Sequence, residues 1–426
     1  MFVTRDGGTS WRLACSDVFG VPYTALNPSP TALLRGGTMV TTGGVRGMWI
    51  SRDGGCSGSH DNPFGEASAV DLSTTPDGSS LYAMVVRPDA DAGPSGLSSQ
   101  VWLSNDDAAT FSPVGTSVPQ LLTNLAVAPS NPAVMYAVRG EGIDPATLLV
   151  SRDGGVTWAS LLVALPSTDV VGLRILGIHP TDPDLVFLSE ALQHVFAAAE
   201  PPTSVMVSAD GGETMTTIFK GQGAVFGLTF SRGGEEVFFG GPQDGLLRAD
   251  VAALRARDPT AVKSVSATPV YGLTWTADGL YAGGNEWGAS LPFTIGVSHD
   301  RGITFEPVMG LCGVVPLACG RNGAPAPECA GAARDYVTDI LTAHCGADGA
   351  VSAGAPPAKA SDGGSPSGAP QPNGTSPDGG ASSAARPDLN IQSGCSAASS
   401  GSDGAAPWLF AAALVIRAAR ARRRDR

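Results

Sequence analysis

The chain has 426 residues, 42% of them hydrophobic and only 15% charged, so it can bury a sizeable core in one large domain or in two to three ordinary ones. Its formal net charge of −13 argues against nucleic acid as the main partner, and the sign is uneven, because the last ten residues hold six Arg against one Asp. The 56 glycines and 33 prolines point to many turns. The start, Met1-Phe-Val-Thr-Arg-Asp-Gly-Gly, has neither a basic nor an apolar leader segment and enters a repeated motif at once.

That motif reads most clearly at Ser151-Arg-Asp-Gly-Gly-Val-Thr-Trp158, behind the apolar run Leu148-Leu-Val150. Gly154 and Gly155 suit the positive φ of a tight hairpin turn. Asp153 can accept hydrogen bonds from the turn's own N–H groups, Ser151 or Thr157 can add a hydroxyl bond, and Trp158 supplies a large apolar face. Six copies occur, carrying Asp6, Asp53, Asp106, Asp153, Asp210 and Asp300, at steps of 47, 53, 47, 57 and 90. The last step is about two periods, and Asp244-Gly-Leu-Leu-Arg-Ala-Asp250 reads as a degenerate hairpin edge in the gap. Between the copies a turn rich in Pro, Asp or Gly leads into a short strand, as in Pro129-Ser-Asn-Pro-Ala-Val-Met-Tyr-Ala-Val and His179-Pro-Thr-Asp-Pro-Asp-Leu-Val-Phe-Leu. Four strands in some 45–50 residues make one propeller blade, and no long helical periodicity appears over 1–310.

The pattern Ser-x-Asp-x-Gly-x-Thr-Trp/Phe resembles the Asp-box, or bacterial neuraminidase repeat, of sialidases, sortilin-like ectodomains, xyloglucanases and photosystem II assembly factors. The resemblance covers roughly residues 1–310. It implies an all-β propeller of six to seven four-stranded antiparallel blades, in which these aspartates are structural, and it carries no activity with it. No segment after Phe305 reads as a closing strand. A truncated first blade is therefore expected, with direct pairing of residues 1–20 against the last blade as the alternative.

Residues 311–345 read as a small Cys-rich appendage with a short helix over Gly331–His344. Cys312, Cys319, Cys329 and Cys345, at spacings x6, x9 and x15, suit two disulfides in an oxidising compartment. Zinc is the rival, but no C-x2-C pair is present and His344 is the only nearby His. Cys15 and Cys56 are candidates for a third bridge. Residues 346–394, made largely of Gly, Pro, Ser, Ala and Asp, read as a disordered linker. Residues 395–426 carry Cys395, the apolar run Ala405–Ile416 and the Arg cluster. Twelve apolar residues fall short of the ~20 of a comfortable membrane span. Cysteine, short hydrophobic helix and Arg cluster together resemble the myxobacterial C-terminal sorting tag MYXO-CTERM. The resemblance implies processing and lipidation at Cys395, export and sorting machinery as partners, membrane attachment through the tag, and a cell-surface or extracellular address. On that reading the coding start lies upstream of Met1.

The chemistry is sparse. The sialidase Phe/Tyr-Arg-Ile-Pro motif is absent, and Arg5, Arg52, Arg152 and Arg301 sit inside the repeated turns. Asp89, Asp91, Glu141, Asp144, Glu235 and Glu236 could furnish a hydrolase's two carboxylates, but each also reads as a solvated loop residue. There is no Gly-x-Ser-x-Gly elbow, no phosphate-binding glycine loop and no twelve-residue calcium pattern, so no metal or cofactor is expected. The aromatics mostly recur in repeat register and read as packing between blades. Trp275 and Trp287 fall outside that register, and Trp287, in Asn285-Glu-Trp-Gly, is the candidate ligand contact. The expected function is a non-catalytic, surface-displayed propeller that binds a glycan or protein through one loop face. A secreted polysaccharide hydrolase is the alternative.

Overall fold

The computed structural model describes residues 2–4, 8, 10–14, 30–42, 47–92, 95–139, 146–165, 170–192, 203–284, 291–317, 319 and 345. They form six four-stranded antiparallel sheets, each ordered as in the sequence, plus one small three-stranded sheet. Blade 1 is Thr31–Leu33, Met39–Thr41, Met48–Ser51 and Ser59–Asp61, and blade 2 is Ser68–Thr74, Leu81–Pro88, Leu97–Ser104 and Ser112–Val118. Blade 3 is Leu122–Val127, Met135–Arg139, Thr147–Ser151 and Ala159–Leu162. Blade 4 is Val170–Ile178, Val186–Leu192, Ser204–Ser208 and Thr216–Lys220. Blade 5 is Gly227–Phe230, Glu236–Gly241, Gly245–Asp250 and Val262–Ser266, and blade 6 is Gly272–Trp275, Leu280–Gly283, Ile295–Ser298 and Glu306–Met309.

The burial gradient within a blade follows the sequence. Second and third strands are continuous apolar runs, such as Val186-Phe-Leu and Leu148-Leu-Val, and are buried on both faces. Fourth strands are mostly exposed, as in Ala159–Leu162. Apolar faces therefore meet between blades, where the core divides into successive clusters. Leu34, Met48 and Ile50 pack on Leu72 and Leu81; Tyr136 and Leu148 pack on Ile175 and Leu188; Phe187 and Val207 pack on Val237 and Phe239. Tyr136 is fully buried, and its hydroxyl crosses from blade 3 to donate to the Pro183 carbonyl at 2.8 Å. Trp275, the last residue of blade 6's innermost strand, packs on Phe238 of blade 5 with ring centroids 5.2 Å apart.

Blade 5 departs from the sequence reading. Gly245–Asp250 is not a hairpin edge but a full third strand. Where the other blades have their Asp turn, a short helix α1, Val251–Arg255, follows it, with the Asp250 carboxylate accepting the Ala253 amide at the helix N-terminus. A helix with a side-chain cap satisfies the backbone at this corner without the two positive-φ residues that the Asp turn requires.

The circle is completed by the small sheet. Phe2–Val3 pairs antiparallel with Arg12–Leu13, which pairs in parallel with Val315–Pro316. A strand after Phe305 does meet the N-terminal segment, contrary to the sequence expectation. Its neighbours Leu311, Val314 and Leu317 are buried. Thr4 Oγ1 accepts the Gly8 amide at 2.8 Å, the bond that Ser51 Oγ makes with Gly55 in blade 1. Phe2–Val3 and Arg12–Leu13 thus stand as the third and fourth strands of a seventh, partial sheet.

Two disulfides fasten this region. Cys312 pairs with Cys345, inside the Cys-rich stretch as expected. Cys319 pairs with Cys56 of blade 1, which corrects both the Cys15–Cys56 bridge and the idea of two bridges within residues 312–345. The reason is geometric, because Gly55 packs against Ala14 and Leu317, so the blade 1 turn lies directly against the C-terminal segment. Cys15, Cys329, the helix at Gly331–His344, the linker and the tail with Cys395 lie outside the described residues. Among the described residues no helix is long and apolar enough to cross a membrane.

Candidate functional site

In an antiparallel four-stranded sheet, alternate connections lie at opposite ends. One face of the disc therefore carries the first-to-second and third-to-fourth connections, and the other face carries the rest. On the first face the third-to-fourth connection is seven residues long in blades 1, 2, 3, 4 and 6. All five turns share one bonding pattern. In blade 3, Ser151 Oγ donates to Asp153 Oδ1 at 2.8 Å and accepts the Gly155 amide at 2.8 Å. Asp153 Oδ1 then accepts the Thr157 amide at 2.9 Å, and Oδ2 accepts the Thr157 hydroxyl at 2.6 Å. Asp53, Asp106, Asp210 and Asp300 repeat this, with Ser57, Thr110, Thr214 and Thr304 in the place of Thr157. The bonds from the threonine hold the carboxyls of Asp106, Asp153 and Asp300 down at about 2. For Asp53 and Asp210 partial burial opposes the bonds, and the net shift is still downward. Two left-handed residues follow the Asp: Gly154 and Gly155 in blade 3, but Asp107 and Ala108 in blade 2. Asp6 lies outside the described residues.

The arginines of these turns act sideways. Arg52 reaches Asp107 and its carbonyl in blade 2, Arg152 pairs with Asp184 of blade 4 at 2.7 Å, and Arg301 pairs with Glu236 of blade 5 at 3.3 Å. Arg255 of α1 pairs with Asp182 of blade 4. His179, buried, receives the Thr181 and Asp182 amides on Nδ1, so Nε2 carries the proton and donates to the Gly234 carbonyl of blade 5 at 2.8 Å. His299 Nδ1 lies 2.7 Å from the Asp278 carbonyl. The polar groups of this face are thus largely engaged with one another.

The opposite face is irregular. Its second-to-third connections range from three residues between Gly241 and Gly245 to eleven between Leu192 and Ser204 and between Gly283 and Ile295. Asp89 accepts the Asp91 amide at 3.0 Å in one of them. Trp287, Glu141 and Asp144 lie outside the described residues.

Between the faces runs a channel lined by innermost strands, with a cavity of about 100 Å3 bordered by Ser73, Asn124, Thr229, Thr274 and apolar side chains. Polar side chains stitch an innermost strand to the next at three junctions, blades 2–3, 3–4 and 5–6. Ser73 accepts the Val127 amide at 3.2 Å, Asn124 accepts that of Ile175, and Thr229 accepts that of Trp275 at 3.1 Å. Asp71 is the one ionisable member of this set. Its Oδ2 accepts the Leu125 amide of blade 3 at 2.7 Å, and Oδ1 accepts the Leu72 amide at 2.8 Å. Protein encloses the carboxylate although Asp71 as a residue is only half-buried. Burial pushes its carboxyl up to about 7, outweighing the two amides and the attraction of Arg174. The sequence reading missed Asp71, and the available signal was an acidic residue inside the otherwise strand-like Ser68-Ala-Val-Asp-Leu-Ser-Thr74. Of the acids it did single out, Glu235 accepts the Ser231 hydroxyl at 3.3 Å, and Glu236 is paired with Arg248 and Arg301. Among the described residues no three His, Cys, Asp or Glu side chains gather as a metal site.

No protein-family model matches the sequence, and no curated protein does. Among solved structures the chain is similar to the GH74 enzyme of Niastella koreensis, at 16% identity over 69% of this chain and 47% of that one, with a TM-score of 0.44. This chain therefore spans about half the length of that enzyme. It is also similar to a chain of a mitotic checkpoint complex, at 12% identity over 71% of this chain and 85% of that one, TM-score 0.46. An oligogalacturonate lyase in complex with manganese matches at 9% identity over 54% and 61%, TM-score 0.37. None of these likenesses bears on what the chain does.

Proposed function

We propose that the chain is a non-catalytic β-propeller that binds a glycan or a protein through the face opposite the Asp turns. The contrast between the faces carries this reading. One face has five connections of equal length whose polar groups bond to each other, whereas the other has connections of three to eleven residues that no repeat dictates. Loops free to vary on a rigid scaffold are where binding surfaces are built. An inverting hydrolase would need two carboxylates about 6.5–9.5 Å apart, and among the described residues no Asp or Glu borders the channel cavity. On the same reading the seven-residue turns are Asp-boxes. The two disulfides fit an oxidising compartment, and the MYXO-CTERM-like tail anchors the propeller at the cell surface through Cys395.

The test uses purified protein against a panel of polysaccharides, scored both for retardation in affinity electrophoresis and for release of reducing ends. Binding without release is expected. Shortening the 193–203 connection should abolish it, while Arg152→Ala on the other face should not. Turnover that Asp71→Asn removes would replace the binding reading by the hydrolase. Surface retention unchanged by Cys395→Ala would overturn the anchoring.

A further inference from the structure

The stitches between innermost strands differ in one respect. Ser73, Asn124 and Thr229 accept a neighbouring blade's amide as neutral groups. Asp71 does the same for Leu125 with a carboxylate. An amide suffices for the bond, so the charge of Asp71 is surplus to the joint, and enclosing it costs desolvation. The surrounding elements offer little compensation. The innermost strands of blades 1 and 3, Thr31–Leu33 and Leu122–Val127, carry no ionisable side chain. In the second strand of blade 2, Asp71 stands opposite Met84; Tyr82 lies two positions along, its hydroxyl held neutral by burial, and Arg87 lies beyond, bonded to Ser98 and Ser117. Arg174 of blade 4 is the charged group that acts on the carboxylate.

We propose that the joint between blades 2 and 3 is a proton-linked latch, tightest when Asp71 is neutral and opening locally more often once Asp71 is ionised. The inference does not depend on the binding function. The sign follows from linkage. Opening to water returns the enclosed carboxyl from about 7 toward its ordinary 3.8, so opening releases a proton between those values. Protection of the joint is full below about pH 4, falls by up to about tenfold per pH unit as the pH rises, and levels off above about pH 7. The channel wall is therefore stiffest in mild acid.

Amide hydrogen exchange of the whole chain, corrected for intrinsic rates and followed from pH 4.5 to 8, tests this. In the wild type, peptides covering 68–74 and 122–127 should lose at least tenfold in protection by pH 7 and little more beyond it. Peptides covering 227–230 and 272–275, stitched by Thr229, should stay level. Asp71→Asn should flatten the profile, and Asp71→Ser, which keeps an acceptor, serves if the Asn variant does not fold. The same fall in either variant, a fall shared by all four strands, or a level wild-type profile would each overturn the latch.

Discussion

Asp153 and Asp71 bear the same side chain in opposite surroundings. Asp153 sits in a turn exposed to water, where Ser151 and the amide and hydroxyl of Thr157 bond its ionised form and hold it down at about 2. Asp71 sits in an innermost strand, where two amide bonds and the attraction of Arg174 do not outweigh its burial. One carboxylate supports the fold when charged, and the other supports it when neutral. Among the described residues the first arrangement recurs in five blades and the second occurs once. Repetition thus marks what builds this propeller, and the singular residues mark what distinguishes it. The following changes would break or sharpen that contrast.

The largest expected effect belongs to a singular feature, the Cys56–Cys319 bridge. It closes a loop with a sequence separation of 263. Cys56→Ser should cost about 2–5 kcal/mol, because the Asp53 carboxylate still accepts the amide of residue 56 and the turn itself survives. Denaturant unfolding in the absence of reductant measures it. A variant as stable as the wild type would mean that the small three-stranded sheet holds the seam unaided. Next comes Asp71→Asn, which should stabilise the protein by up to about 4 kcal/mol at pH 8 and not at all near pH 4. The sign follows from the raised carboxyl, which contributes stability below its unfolded value and loses it as the pH climbs to 7. Urea midpoints at the two pH values decide it, and a destabilised variant at pH 8 would refute the assignment.

Among the repeated features, Ser151→Ala strips the buried Gly155 amide of its acceptor and should cost about 1–3 kcal/mol. The turn aspartates also predict an acid limb. With Asp106, Asp153 and Asp300 held at about 2, the stability they provide is present above pH 4 and lost as the pH falls toward 2, visible as a drop in Tm over that range. The smallest effect is that of Arg152→Ala. Its pair with Asp184 is about half exposed, and the loss should stay within about 1 kcal/mol. A larger loss would show that the latches on this face matter more than their exposure implies.

The difference between repeated and singular also governs what could be read from the residues. The blades were legible, because Ser-x-Asp turns at near-constant spacing and apolar triplets such as Leu148-Leu-Val150 are local signals. The Cys312–Cys345 pairing lay within the expected set. The partner of Cys56 did not, since a contact across 263 residues leaves no trace in local pattern. Blade 5 misled because Gly245–Asp250 is an ordinary third strand, and only the capped helix after it shows why the turn motif is missing. Asp71 went unnoticed for a related reason. Its environment is set largely by Leu125 and Arg174, which belong to other blades, so the one local sign was an acid inside an otherwise strand-like run.

The seam between first and last blades has a consequence in time. At synthesis rates of about 5–20 residues per second, Cys319 emerges roughly 10–50 s after Cys56. During that interval blade 1 lacks its covalent partner, and Arg12–Leu13 lacks the Val315–Pro316 strand. Nascent blades can stack on one another as they appear, but this seam closes covalently only by an oxidation. A thiol near one end of the chain must stay reduced and accessible until its mate arrives, so the seam is sealed by an electron acceptor and not by chain elongation itself.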